Sequence, residues 1–278
     1  MEIARWSSVL SAALTIGSTG CALEIEDPEE LDIELRSWGA GGRLAPPSED
    51  DESRSGVGEW INNGLIDPAV SGVSVDHPLV SSQGLDNEHG WLADEDNDGV
   101  VAIRYMIECA LDQWQSIEKT HEGHTTIFYG RLGLAPQWKN GSCDLHCQRW
   151  VSACMMARTN PVGQTTSIWL QGDHPALGFG NVPQLPNYEG AYYGNLFAST
   201  QVERSCQGSA AGLAAAADFG RTCASNESDC GFVSDGDCIL DADCDLSDDG
   251  LLPVACLVDP AQPDYPVISV HVGDAAAE

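Results

Sequence analysis

Acidic side chains at alternate positions form the clearest candidate for a metal site in this sequence. Asp94, Asp96 and Asp98 follow the spacing of the first half of a calcium-binding loop, in which three carboxylates converge on one ion. Gly99 stands where such loops turn sharply, but Tyr105 occupies the twelfth position, where they hold a bidentate glutamate. The pattern predicts a calcium site. The alternative is that these carboxylates begin the following helix, where the helix dipole favours them.

A second alternating set, Asp241, Asp243 and Asp245, lies among the last cysteines and lacks the glycine. Disulfides would hold this segment compact and preorganise a cage of oxygen ligands for a second, weaker calcium site. The alternative interpretation is a solvated acidic loop that keeps the surface soluble. Calcium is the one cofactor that the sequence indicates.

Two histidines in the segment His121-Glu122-Gly123-His124 resemble a zinc-protease motif, but they stand three residues apart instead of four. In one strand, residues three apart point to opposite faces, so we interpret them as exposed loop histidines, with a shared metal ion as the alternative. The chain also lacks the G-x-S-x-G pattern of a nucleophilic serine. A non-catalytic binding protein is therefore the favoured prediction. The alternative is a secreted hydrolase that uses histidines such as His124 and His174.

The first residues indicate export. An apolar run over residues 6–16 is followed by small residues and Cys21, which is the layout of a secretory signal. The small residues resemble the lipobox of bacterial lipoproteins, although Ser18 stands where that pattern usually has leucine. We predict a signal peptide over residues 1–20 and a lipid on Cys21 as the membrane anchor; release after cleavage and a buried N-terminal helix are the alternatives. The expected location is the outer membrane, the periplasm, the cell surface or the medium.

The cysteines support an oxidising compartment. The chain has 11 cysteines, and setting Cys21 aside for the lipid leaves an even number that can form disulfides. Cys143 and Cys147 are one helical turn apart and are predicted to pair. Cys109 and Cys154 lie on or beside the apolar faces of two predicted helices, so a bridge between them would join those helices. The remaining cysteines are expected to pair among themselves: Cys206, Cys223, Cys230, Cys238, Cys244 and Cys256.

The charge is strongly negative and unevenly distributed. With 43 acids and 12 bases the net charge is −31, so phosphate backbones are repelled and nucleic acid is not expected as a partner. Residues 24–52 carry eleven acids with interleaved glycine and proline. Such a segment cannot bury enough apolar surface to offset its ordering entropy. We therefore predict a disordered acidic tether over residues 21–58.

The rest of the chain is predicted to be one α+β domain held together by disulfides. An irregular lead-in over 59–85 precedes an α+β core over 86–222 and a cysteine-rich acidic C-terminal lobe over 223–278. Periodicity predicts helices over 100–117, 143–158 and 209–219, with Ser142 and Ser209 as N-caps. Strands are predicted over 125–130, 165–172 and 266–272. The segment 188–197 fits either a helix or a packed loop.

Four segments carry a family resemblance: YMIECAL at 105–111, GRLGLAPQW at 130–138, QRWVSACMMARTN at 148–160 and EGAYYGNLF at 189–197. They resemble an uncharacterised group of secreted, cysteine-rich proteins and lipoproteins common in myxobacteria. Asn62-Asn63-Gly64-Leu65 is similar to the Asn-Gly-Leu repeats near the N-terminus of such proteins. The resemblance implies export and adds no activity, ligand or catalytic residue.

Aromatic residues concentrate in or beside these segments. We interpret them mainly as core, and the alternative is an exposed platform that binds sugars or peptides. The six residues concerned are Trp138, Trp150, Trp169, Tyr188, Tyr192 and Tyr193. The expected function is thus an exported, lipid-anchored binding protein at the cell envelope, stabilised by calcium, whose protein or carbohydrate partner the sequence does not identify.

The calcium prediction is tested by thermal unfolding. If Asp94, Asp96 and Asp98 bind the ion, adding calcium raises the melting temperature, because a ligand of the native state stabilises it. The double variant Asp96→Asn/Asp98→Asn should lose that rise. Asp241→Asn/Asp243→Asn is the matched control for the second acidic set. A melting temperature that does not respond to calcium in the unmodified protein would show that neither set binds it.

Overall fold

The computed structural model describes residues 58–70, 72–85, 98–121, 123–180, 183–225 and 230–274. The predicted signal peptide, Cys21, the tether up to residue 57, and Asp94 with Asp96 lie outside these ranges. The described part has an α+β fold, as the sequence predicts. Within it, no helix is both long and apolar enough to cross a bilayer.

The described part contains three α-helices: α1 (Asp98–Ala110), α2 (Leu145–Ala157) and α3 (Ala210–Asp218). Asp144 caps α2, because its carboxylate accepts the backbone N–H of Cys147 at 2.9 Å. The prediction of Ser142 as this cap is therefore wrong. Ser209 caps α3 as predicted, since its hydroxyl accepts the backbone N–H of Gly212 at 2.9 Å.

Helix α1 ends earlier than the predicted range of 100–117, because the chain that follows satisfies its last carbonyls. The carbonyls of Cys109 and Ala110 accept the backbone N–H groups of Leu134 and Ala135 at 3.1 and 2.8 Å. This folded-back segment takes the place of another helical turn. Residues 116–121 are consequently available to form a strand.

The main sheet has six strands: β1 (Glu59–Asn62), β4 (Ser167–Gln171), β5 (Asn187–Asn195), β6 (Val202–Gln207), β7 (Val233–Asp237) and β11 (Ile268–Val272). Their spatial order is β1-β4-β11-β5-β6-β7, and every neighbouring pair is antiparallel except β6 and β7. Strand β11 thus lies in the middle of the sheet. The predicted C-terminal lobe supplies one of the central strands.

Strand β5 occupies the segment predicted to be a helix or a packed loop, so that prediction is wrong. Its residues from Glu189 to Asn195 are buried on both faces, and the sequence therefore shows no alternation of apolar and polar residues. Gly190 and Gly194 let neighbouring backbone come close, since a Cβ there would overlap the carbonyl oxygens of Cys206 and Val202 on β6.

Two smaller sheets complete the fold. One is a hairpin of β2 (Ser116–His121) and β3 (His124–Tyr129). The other has three strands, β8 (Cys244–Leu246), β9 (Pro253–Cys256) and β10 (Tyr265–Pro266), in the order β10-β9-β8. The second of these lies against one face of the main sheet, through contacts of β10 with β5.

Each face of the main sheet has its own core. On the first face, which we call the helix face, α2 and α3 contact β5 and β11, and α1 contacts α2. The three helices share one core with Ile61, Leu170, Tyr192 and Val270. On the second face, Ala191, Tyr193 and Cys206 pack with Tyr265 and Val267. The sheet is therefore the middle layer of the described part.

The described residues form five disulfides: Cys109–Cys154, Cys143–Cys147, Cys206–Cys238, Cys223–Cys230 and Cys244–Cys256. The first two are the pairs that the sequence indicates, and the other six cysteines pair among themselves. The Cys109–Cys154 bridge links α1 to α2 across a Cα–Cα distance of 6.0 Å. This number of disulfides fits a secreted or extracellular protein.

A fully buried ion pair connects the helix face of β5 to the chain around it. Arg221 donates from Nε and Nη2 to the two carboxylate oxygens of Glu189, at 2.7 and 2.9 Å. It also donates to the carbonyls of Thr159 and Ala157 at the end of α2, at 3.1 and 3.0 Å. The Tyr192 hydroxyl donates to the same carboxylate at 2.6 Å. Burial alone would lower the pKa of Arg221, but Glu189 more than offsets this and the net pKa is raised.

Removing one charge of this pair should be costly. Glu189→Gln leaves Arg221 charged without a buried counter-ion, and we expect a loss of about 3–5 kcal/mol in the free energy of unfolding. The matched control is Asp235→Asn, which removes the charge from the half-buried pair with Arg204 and leaves an amide oxygen as acceptor for the Tyr193 hydroxyl. It should cost about 1 kcal/mol or less. Urea unfolding with the disulfides intact measures both. Equal losses in the two variants would contradict this role for Glu189.

Candidate functional site

Four residues form a continuous row across the second face of the main sheet. Trp60 on β1 is paired with Trp169 on β4, Trp169 with His271 on β11, and His271 with Tyr188 on β5. Directly opposite residues place their side chains on one face, with Cβ atoms about 4.5–5.5 Å apart. We call Trp60, Trp169, His271 and Tyr188 the aromatic row. It crosses three strand spacings, which is about 14 Å.

The aromatic row contains polar atoms without hydrogen-bond partners. The indole Nε1 of Trp169, the Nε2 of His271 and the hydroxyl of Tyr188 are buried and unpaired, and so is the hydroxyl of Ser269, two residues before His271 on the same face. Ser269 interacts favourably with the ionised form of Tyr188, but the two hydroxyls do not reach hydrogen-bond geometry. Each such atom costs about 1–3 kcal/mol if nothing satisfies it. Their grouping therefore points to a partner such as water or a ligand.

The row presents neutral groups. Burial lowers the pKa of His271 to about 4, so the imidazole is uncharged at neutral pH. Burial also raises the pKa of Tyr188 far above its ordinary range, so the phenol stays protonated. The rings of Tyr188 and His271 are tilted against each other, with centroids 5.2 Å apart. The row thus offers aromatic surface and uncharged hydrogen-bonding atoms, which suits a neutral polar ligand.

Strand β5 and the entry to β1 determine where these side chains lie. A β-bulge between Val270 and His271 shifts the register, so that Tyr188 faces His271. At the other end of the row, Gly58 has a φ of 89°, and a Cβ there would overlap Trp169 Nε1. Glycine at position 58 therefore lets the backbone cover one edge of the indole. Trp60, at the edge strand, is 40% exposed and is the most accessible member of the row.

The arrangement does not form a hydrolytic pair. Ser269 and His271 share a strand face, but the Ser269 hydroxyl and the His271 Nε2 both lack a hydrogen-bond partner, so this nitrogen does not activate the hydroxyl. His174 is engaged elsewhere. Its Nδ1 accepts the backbone N–H of Ala176 at 3.1 Å, and its ring stacks edge-on with Trp150 at 4.9 Å. Burial and the nearby His146 lower its pKa.

The structure describes only part of the first predicted calcium site and all of the second. Asp98 is the first residue of α1, and the loop before it lies outside the described ranges. Asp241, Asp243 and Asp245 are exposed, and the carboxylate of Asp241 accepts the backbone N–H of Asp237 at 3.1 Å. Within the described ranges, no three side chains of histidine, cysteine, aspartate or glutamate come together. Calcium binding stays a prediction.

The two histidines of the zinc-like segment do not lie in one strand, and the argument that they face opposite ways is therefore wrong. His121 ends β2, His124 begins β3, and the two are paired across the hairpin. The aromatic residues divide as well. Four of the six are core residues, namely Trp138, Trp150, Tyr192 and Tyr193. Trp169 and Tyr188 belong to the aromatic row, which joins residues too far apart in sequence for a motif to reveal them.

Comparisons of the chain with protein-family models, with curated proteins and with solved structures give no match.

The pKa of His271 makes the fold sensitive to acid. The unfolded chain takes up this proton near pH 6.5 and the folded chain near pH 4. Between these values the unfolded state binds the extra proton, so stability falls as the pH falls, by at most about 3 kcal/mol. His271→Gln should flatten this part of the pH profile of urea unfolding, whereas His124→Gln, an exposed residue outside the row, should not. A histidine NMR titration that places the pKa of His271 near 6.5 would contradict the buried neutral imidazole.

Proposed function

We propose that this protein is an exported, lipid-anchored and non-catalytic binding protein, and that the aromatic row is its binding site for a neutral carbohydrate. The observation that carries the proposal is the group of buried, unpaired polar atoms of Trp169, Tyr188, Ser269 and His271 beside the exposed ring of Trp60. Ligand sites combine apolar surface with a few placed polar groups. The row has both.

A carbohydrate suits this chemistry better than a charged ligand. Sugar rings stack on aromatic faces through their C–H groups, and their hydroxyls both donate and accept hydrogen bonds. Trp169 Nε1 donates only, Tyr188 and Ser269 can do either, and neutral His271 offers one free ring nitrogen. No charge in the row favours a phosphate or a carboxylate, and the net charge of −31 repels anions.

The length of the aromatic row favours an oligosaccharide over a single sugar. A length of about 14 Å exceeds a single sugar ring, so several rings could lie along the direction from Trp60 to Tyr188. The polar atoms at the Tyr188 end are buried, and Trp60 at the other end is exposed. We expect the sugars to stack on Trp60 and to reach the buried polar atoms of Tyr188 and Ser269 through ordered water.

The predicted lipid anchor would place this carbohydrate-binding site at the cell envelope. A lipid on Cys21 would hold the protein at a membrane, and the acidic segment over 21–58 would act as a flexible tether that keeps the folded part away from it. Acidic residues in this tether would be repelled by anionic lipid headgroups. The folded part would then meet carbohydrate polymers outside the membrane surface. A calcium ion held by Asp94, Asp96 and Asp98 would stabilise the start of α1 without taking part in binding.

A glycan array with neutral oligosaccharides tests the proposal. Trp60→Ala should weaken binding to any glycan that the unmodified protein binds by about tenfold or more, since a stacked aromatic ring is lost. Trp114→Ala is the matched control, because Trp114 is 63% exposed in the turn after α1 and lies outside the sheet. Binding that survives Trp60→Ala unchanged, or the absence of any bound neutral glycan, would refute the assigned site.

A further inference from the structure

We propose that His121 and His124 together bind a first-row transition-metal dication at the tip of the β2–β3 hairpin. This site is separate from the aromatic row. It would bind Zn²⁺, Cu²⁺ or Ni²⁺ and not Ca²⁺. The proposal rests on the strand register, on the access of solvent to exposed His124 and half-buried His121, and on the contacts at the base of the hairpin.

The register brings the two histidines together. Six residue pairs run without a shift from Ser116 and Tyr129 to His121 and His124, which is the last pair before the turn. The pairing is tight up to that point, because the hydroxyls of Thr120 and Thr125 in the preceding pair lie 2.8 Å apart. Directly opposite side chains extend from the same face, with Cβ atoms about 4.5–5.5 Å apart. Two imidazoles in this position can approach one ion.

The chemistry of two imidazoles selects the class of metal. Imidazole nitrogen is a preferred ligand of Zn²⁺, Cu²⁺ and Ni²⁺, whereas Ca²⁺ and Mg²⁺ require oxygen ligands. His124 is exposed and His121 half-buried, so water can complete the coordination shell. The net charge of −31 attracts any dication to the surface. The histidine pair would add the selectivity that the carboxylates lack.

The base of the hairpin holds the pair in place before a metal arrives. Ile117 and Phe128 are buried in the core on the face that carries the two histidines. Lys119, on the same face, donates from its buried Nζ to the carbonyl of Ser81 at 2.7 Å and fastens β2 to the lead-in segment. A preorganised pair loses little conformational freedom on binding.

The test is a Zn²⁺ titration of the disulfide-bonded protein in an excess of CaCl₂, followed by NMR of the histidine imidazoles. Calcium occupies carboxylates that bind dications without selectivity, so the remaining response reports nitrogen ligands. We expect the ring signals of His121 and His124 to shift together at one stoichiometric equivalent. The response should disappear in acid, because protonated imidazole cannot ligate a metal.

Variants assign the site. His121→Asn and His124→Asn should each weaken Zn²⁺ binding in calorimetry by about tenfold or more. Removing a residue that only hydrogen-bonds a metal ligand already costs that much, so removing a direct ligand should cost at least as much. His77→Asn is the matched control outside the hairpin and should bind Zn²⁺ as the unmodified protein does. The proposal is overturned if calcium abolishes Zn²⁺ binding, if only one of the two ring signals responds, or if both hairpin variants bind normally.

Discussion

The buried ion pair between Glu189 and Arg221 is the constraint on which the rest of the described structure depends. Arg221 ties one strand of the sheet to the end of α2 by four hydrogen bonds, and each of its donating nitrogens meets a carboxylate or carbonyl oxygen. Adjacent residues of a strand point to opposite faces. Holding Glu189 on the helix face therefore directs Tyr188 to the second face, where it meets His271. The interaction that orders the core also positions the candidate site.

The disulfides offset the destabilisation of the folded chain that its negative charge causes. A net charge of −31 destabilises a compact chain by self-repulsion, and the cationic partners are few. Bridges restrict the unfolded chain and so raise the relative stability of the native state by a few kcal/mol each. One bridge joins α1 to α2. Three others lie within the acidic segment after residue 200. No lysine or arginine follows Arg221 in that segment.

Features decided within a few residues could be predicted from the sequence, and features decided across the sheet could not. The positions of α2 and α3, the cap at Ser209 and the Cys143–Cys147 bridge follow from local spacing. The end of α1 depends on the distant segment that folds back onto it. The Cys109–Cys154 bridge follows from two amphipathic faces. Strand β5 gave no alternating pattern because both of its faces are buried. The aromatic row depends on the register of four strands and on one bulge, and neither leaves a signal in a single sequence.

The assigned site can be checked by a crystal structure of the protein with a neutral oligosaccharide, at a resolution that shows ordered water. We expect sugar rings against Trp60 and Trp169, with a sugar hydroxyl or an ordered water bonded to His271 Nε2 or to the Tyr188 hydroxyl. A sugar bound on another surface, with these polar atoms still unpaired and dry, would contradict this assignment.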